Sequence, residues 1–310
     1  MSRRAPGAIL ARLTLTAAFW GGAFVAGKIA LASLGPLTVA FWRFAIGAAV
    51  LAPVWAAREG RGAAPRSARA WGGLAALGVL GVFGYNWFFF RGLALVEPGA
   101  AALVITTNPA LTALVSSLLL RERLSPLRLA GFALAASGAL VVLSGGNWEA
   151  LAHLRLGPGA GLLGLAVVAW VFYTVLGKVV MGGVSPLTAS AGSFLVGLPL
   201  LAAAAWREGP LSALFAAPAA AWAALGFMGV FSSALAFLWF YEGVAALGAG
   251  RASVFIYLVP GFALAISHAL LGEPVTVPKV AGGALVVVGV VLTSLRGRKR
   301  SGARAQRAAG

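Results

Sequence analysis

The sequence predicts an all-α integral membrane protein, with ten transmembrane helices arranged as two inverted five-helix repeats. Three observations carry that expectation. Hydrophobic residues make up 61% of the 310 residues and charged residues 10%, where soluble domains hold roughly 45–50% and about 25%. Such a chain cannot cover a water-soluble fold with polar surface, but it suits a multi-span membrane protein. Apolar stretches of about 20 residues, the length that crosses a bilayer, recur at 8–30, 36–55, 71–90, 98–120, 126–144, 158–180, 186–206, 219–241, 251–271 and 277–295. The second half of the chain also repeats the first.

Composition excludes several classes of chemistry. Cys is absent, which removes disulfides, thiolate metal sites and cysteine nucleophiles. All seven acids are Glu, so Asp-rich metal loops and Ser-His-Asp triads are excluded. His153 and His268 are the two histidines, too few to build a zinc site with nearby carboxylates. No phosphate-binding glycine loop is visible, which argues against ATP-driven transport. The expectation is a protein that is not an enzyme and carries no cofactor or metal.

Span 1 follows Arg3 and Arg4. Its long, bulky apolar run around Phe19, Trp20 and Phe24 lacks a small-x-small cleavage site, so it reads as an uncleaved first span. With the N-terminus inside, eighteen of the 24 Lys and Arg fall on that side: Arg3, Arg4, Arg12, Arg58, Arg61, Arg66, Arg69, Arg121, Arg123, Arg128, Lys178, Arg251 and the tail residues Arg296, Arg298, Lys299, Arg300, Arg304 and Arg307. Five fall outside (Lys28, Arg91, Arg155, Arg207, Lys279), and Arg43 lies within a span. The positive-inside rule then puts both termini in the cytoplasm, and a bacterial inner membrane is the expected location. The net charge of +17 reads as topology, with some attraction of the tail to anionic lipid. Nucleic acid is not an expected partner; the lipid bilayer is, and the chain is expected to act as a monomer.

Self-comparison organises the rest. Trp20, Gly27, Lys28 and Pro36-Leu37-Thr38 recur 150 residues later as Trp170, Gly177, Lys178 and Pro186-Leu187-Thr188, and Phe44 and Gly47 as Phe194 and Gly197. Gly92, Pro109, Glu122, Gly131 and Gly138 recur 151 residues later as Gly243, Pro260, Glu273, Gly282 and Gly289. The units are 1–146 for spans 1–5, an inter-repeat loop 147–157, 158–296 for spans 6–10, and a basic tail 297–310. Five spans is an odd number, so the second copy must start from the opposite side. Inverted repeats are the architecture of many secondary transporters, which bind solute near the midplane between the halves.

Within the spans, polar groups need partners and should face inward; this applies to Tyr85, Asn86, Asn108 and Tyr257. Tyr85 and Phe89 share one helix face at i, i+4 spacing. With Trp20, Phe24, Trp170, Tyr173 and Phe237 they would line a mostly apolar cavity with a few hydrogen-bonding groups, the usual make-up of a small-molecule site. Asn108-Pro109 and Val259-Pro260 interrupt spans 4 and 9 at equivalent points, as helix breaks at transporter sites do. Gly-x6-Gly in spans 5 and 10 is explained by close helix packing. Arg43 within the bilayer costs roughly 2.5–3.5 kcal/mol at full depth. Its expected partner is Glu97, and a hold on a substrate carboxylate is the other reading. His268 is a candidate proton acceptor or a hydrogen-bonded packing residue. Lys28 and Lys178 are read as snorkelling to the interface, Glu122 and Glu273 as helix-end pairs, and Glu242 as a partner of Arg251 or Lys178.

Together, the Trp-x6-Gly-Lys pattern of spans 1 and 6, the Trp42-Arg43-Phe44 step, and Pro-x12-Glu leading to Gly-x6-Gly in spans 4–5 and 9–10 resemble the EamA branch of the drug/metabolite transporter superfamily. The resemblance covers essentially the whole chain and is nearest to bacterial amino-acid exporters, aromatic ones especially. It implies a secondary transporter that exports amino acids, aromatic or hydrophobic ones favoured, by alternating access. Export of other small metabolites or drug-like solutes is the alternative.

Overall fold

The computed structural model describes residues 6–60, 65, 67–95, 104–105, 107–120, 125–144, 146–147, 149, 158–209, 215–271 and 276–294. All regular structure among these is helical. The helices are α1 (Pro6–Leu31), α2 (Pro36–Arg58), α3 (Ala68–Leu95), α4 (Asn108–Leu119), α5 (Pro126–Ser144), α6 (Pro158–Val180), α7 (Pro186–Trp206), α8 (Ala219–Leu247), α9 (built from Ala249–Ser253, a 3₁₀ stretch Val254–Leu258, and Val259–Leu271) and α10 (Val277–Ser294). Seven of these, α1–α3 and α6–α9, are long and apolar enough to cross a membrane; α4, α5 and α10 carry shorter apolar stretches among the described residues. Glu97, Glu122, Glu273 and His153 lie outside the described residues, and with them the expected Arg43–Glu97 pair.

Local chemistry sets the helix ends. Pro36 and Pro186 open α2 and α7, where a fixed φ and a missing N–H cost nothing. The Ser185 hydroxyl accepts from the Thr188 N–H at 2.9 Å, as an N-cap does. Acids supplied by the other helix complete both ends. Glu208, just past α7, accepts from the Leu37 and Thr38 N–H groups at 2.7 and 3.2 Å, neutralising the orphan donors of α2. Glu59, just past α2, accepts from the hydroxyls of Ser185 and Thr188. The start of each helix therefore meets the end of the other, and α2 and α7 run antiparallel.

Helices of the first repeat pack mainly on helices of the second, and the contacts come in matched sets. A Cβ on Gly92 of α3 would meet Leu163 of α6 at 2.8 Å; one on Gly243 of α8 would meet Leu13 of α1 at 2.6 Å. Gly78 lies against Ser193 O and Val196, as Gly229 lies against Arg43 O and Ile46. Each member of a set is displaced from its counterpart by the sequence offset. The Gly-x6-Gly helices α5 and α10 also pack on each other: a Cβ on Gly138 would come within 2.5 Å of Gly282 O, and one on Gly289 within 2.7 Å of Gly131 O. Late α5 thus meets early α10 and the reverse, so this pair is antiparallel too.

Both α3 and α8 contain a π-helical stretch, Gly78–Gly84 and Met228–Leu235. The Tyr85 N–H bonds to Leu80 O and the Ala236 N–H to Phe231 O; each skips one carbonyl, Gly81 and Ser232 respectively. Those carbonyls occupy equivalent places in the repeat. Widened turns of this kind concentrate at functional sites.

The glycine contacts lead to one expectation. Gly138→Leu should force α5 and α10 apart and destabilise the protein by roughly 1–3 kcal/mol, the cost of overpacking. Gly283→Leu, where a Cβ meets nothing within 4 Å, should melt like the unaltered protein. Thermal melting in detergent checks both, and equal melting of the two variants would contradict the packing.

Candidate functional site

The two repeats meet at a cavity. Its walls are Trp20, Ala23 and Phe24 of α1, Arg43 of α2, Tyr85, Phe89 and Phe90 of α3, Ile105 and Asn108 at the start of α4, Trp170 of α6, Phe237 of α8, and Ile256 and Val259 of α9. The cavity volume between them is about 60 Å³, smaller than the roughly 300–1,000 Å³ of a typical ligand pocket. Seven of the ten expected solute-lining residues therefore come together: Trp20, Phe24, Tyr85, Phe89, Asn108, Trp170 and Phe237.

The rings hold one another in place. Trp20 meets Trp170 edge to face at 5.2 Å between centroids, and both sit edge-on to Phe237, at 6.1 and 5.6 Å. Tyr85 stacks on Phe89 at 5.3 Å and leans on Trp170 at 5.0 Å. Edge-to-face and offset contacts of this kind each contribute about 0.5–1.5 kcal/mol beyond burial. The π stretches aim two of these walls. The Trp20 indole N–H donates to the skipped carbonyl of Ser232 at 3.0 Å, which fixes the ring across the repeat boundary. The matching carbonyl, Gly81 O, accepts from the Asn86 side-chain amide at 3.2 Å, and Val82 O from the same amide at 2.8 Å.

That use of Asn86 corrects its expected place. Its amide braces the turn beneath Tyr85, and its side chain is fully buried outside the cavity lining. Polarity alone made it an inward-facing candidate; its amide donors are met by its own helix, while its buried Oδ1 has no partner among the described residues. Tyr173 also lies outside the lining. It packs below, stacked on Tyr241 at 4.8 Å, in space left by Gly81, where a Cβ would come within 2.2 Å of the Tyr173 ring. Its counterpart in the first repeat, Ala23, does line the cavity. Tyr257 belongs to a separate apolar cluster with Ala113, Phe132, Ala135, Val254 and Val286. The 3₁₀ stretch that carries it turns Ile256 to the cavity instead. His268 is exposed near the end of α9, away from the cavity.

Arg43 is only 6% exposed. Its Nε donates to Ser233 Oγ of the α8 π stretch at 3.0 Å, and its guanidinium lies over the rings of Phe44 and Phe90 at 5.1 and 5.8 Å. No acidic side chain among the described residues pairs with it. Several other charged residues have structural partners. Lys178 does not snorkel: its Nζ donates to Val244 O and Ala245 O at 3.1 and 2.7 Å, closing the C-terminus of α8 where a cation is favoured. Glu242 pairs with Arg12 of α1 rather than with Arg251 or Lys178. Lys28 is exposed at the end of α1.

The model of the EamA-like transporter family matches residues 6–144 and again 157–295. The chain belongs to this family. Each match spans one repeat, so the duplication read from the sequence is a duplication of the EamA unit. Similar proteins include the "uncharacterized transporter YyaM" of Bacillus subtilis, 31% identical over 89% of this chain and 90% of its own length. Another is the "probable terminal-alkyne amino-acid exporter" of Streptantibioticus cattleyicolor, 29% identical over 93% and 94%. A solved crystal structure 22% identical to the chain superposes with a TM-score of 0.79, covering 95% of this chain and all of that one; at that identity the likeness is one of fold. This EamA protein is a membrane transporter by family.

Asn86→Leu, of similar shape, should leave the Gly81 and Val82 carbonyls without the side-chain donor. The expected loss is roughly 1–3 kcal/mol of stability, read as a lower melting temperature. Unchanged melting with altered solute binding would place Asn86 in the lining after all.

Proposed function

We propose that this EamA transporter exports amino acids, aromatic and hydrophobic ones favoured, across the bacterial inner membrane by alternating access. In this reading the protein acts as a monomer, both termini lie in the cytoplasm, and ten spans form two inverted five-helix halves. The antiparallel course of α2 against α7 and of α5 against α10, both pairs of repeat equivalents, supports the inversion. Inverted halves have two nearly equivalent arrangements, open to opposite sides of one central site.

One observation carries the solute class: the cavity between the repeats is walled by stacked aromatic rings, with a few polar groups at fixed places. An aryl side chain fits edge-on or offset against such walls. The probable terminal-alkyne amino-acid exporter among the similar proteins is consistent with an amino-acid solute. The largely apolar wall also suits other small metabolites or drug-like solutes, which remain the second reading.

Proteoliposome counterflow tests the proposal. Labelled phenylalanine or tryptophan should accumulate against an internal pool of the same amino acid. Tyr85→Ala and Trp170→Ala should alter the ranking of aromatic over small side chains several-fold, compared at equal amounts of folded protein because each also loses ring packing. Normal transport by both variants would remove these rings from the site, and counterflow confined to solutes unrelated to amino acids would favour the second reading.

A further inference from the structure

We infer that the cavity selects its solute by a single carboxylate held by Arg43, and that the amino group of an amino acid is dispensable for binding. This deepens the proposed function and rests on the same cavity being the solute site.

Charge balance points to the carboxylate. Among the described residues that wall the cavity, Arg43 is the charged one. Ser233 and the faces of Phe44 and Phe90 hold its stem and orientation, but none of them cancels the charge. The fold does not require that charge. At the equivalent position stands Ser193, whose hydroxyl is satisfied by Ser190 O at 2.8 Å. A buried guanidinium retained without structural need marks a functional site in a membrane segment, and its planar fork matches a carboxylate. A monoanion makes the loaded site neutral, whereas a dianionic phosphate monoester would leave it negative in a low-dielectric environment.

The cavity offers an ammonium much less. The described acids lie elsewhere: Glu59 and Glu208 clasp helix ends, Glu242 pairs with Arg12, and Glu149 lies between the repeats. A donor on the solute would find Asn108 Oδ1, buried and with no protein partner, and ring faces for a cation–π contact. Both tolerate an amino group without demanding one. The solute class is therefore aryl or alkyl monocarboxylates, of which amino acids are a subset.

The test is equilibrium binding to the full chain in lipid nanodiscs, read by tryptophan fluorescence. The probes are phenylalanine, 3-phenylpropionate and phenethylamine. Phenylpropionate should bind within a few-fold of phenylalanine. Phenethylamine should bind at least about tenfold more weakly, the effect of losing one charge-assisted hydrogen bond. Arg43→Gln should abolish the preference for acid over amine, and Arg43→Lys should restore part of it. If Arg43→Gln does not fold, the three-ligand series on the unaltered protein still decides. Amine binding equal to acid binding would mean that the Arg43 charge is already balanced, and would overturn this inference while leaving an aromatic solute site standing. Failure of all three probes to bind would overturn the site itself, and with it the proposed function.

Discussion

A bilayer offers no hydrogen-bond partner to a backbone group, and this constraint shapes everything around the cavity. Departures from the regular helix ladder must be satisfied by the protein itself. The π stretches of α3 and α8 each set one carbonyl aside, and the two solutions differ. Asn86 closes the first from its own helix, whereas Trp20 closes the second from the opposite repeat. The second solution makes a wall of the cavity part of the hydrogen-bond accounting of the fold. Helix ends obey the same rule: Glu208 and Glu59 serve the starts of α2 and α7, and Lys178 serves the end of α8. Polar residues that look like mechanism in a hydropathy plot are here largely the means by which irregular backbone survives in an apolar environment.

The duplicated scaffold carries an unequal site. Trp20 and Trp170 are equivalent and both line the cavity, but the positions matching Tyr85 and Arg43 are Ala236 and Ser193, and Phe237 stands where the first repeat has Asn86. The first repeat supplies the charge and most of the rings together with Tyr85 and Asn108, and the second supplies Trp170, Phe237, Ile256 and Val259. A solute with one polar end and one apolar end would lie in one preferred orientation across the repeat boundary, although the helices around it are paired nearly symmetrically. Symmetric packing with asymmetric lining is the outcome for a duplicated fold whose contacts are constrained by close glycine approaches while its cavity is not.

Much of this was legible in the sequence because it depends on pairwise identity and size. Gly131, Gly138, Gly282 and Gly289 pointed to close helix packing in spans 5 and 10, and all four serve in the antiparallel contact of α5 with α10. The aromatic residues at i, i+4 spacing on span 3, with their partners on spans 1, 6 and 8, converge as expected. The π stretches were not legible: Gly-Val-Leu-Gly-Val-Phe-Gly reads equally well as a regular apolar helix, and only the bonds Tyr85 and Ala236 make reveal the extra residue. A shift of one residue in the ladder rotates the remainder of the helix, so polarity alone misplaced Asn86. Tyr173 was misplaced for a related reason. Its partner surface is a glycine on another helix, and a single sequence does not say which glycine faces which ring. Lys178 looked like a snorkelling residue because the carbonyls it closes lie 66 and 67 positions away.

The central claim is that the two halves of this EamA protein insert in opposite directions around one shared chamber. The native chain has no Cys, so single cysteines can be placed at Ser33 and Gly183, which come just after α1 and its equivalent α6. An impermeant maleimide added to intact cells should modify Ser33→Cys directly and Gly183→Cys only after the membrane is opened. Equal reactivity of both positions from the same side would mean that the halves are threaded in parallel, and the account would fail.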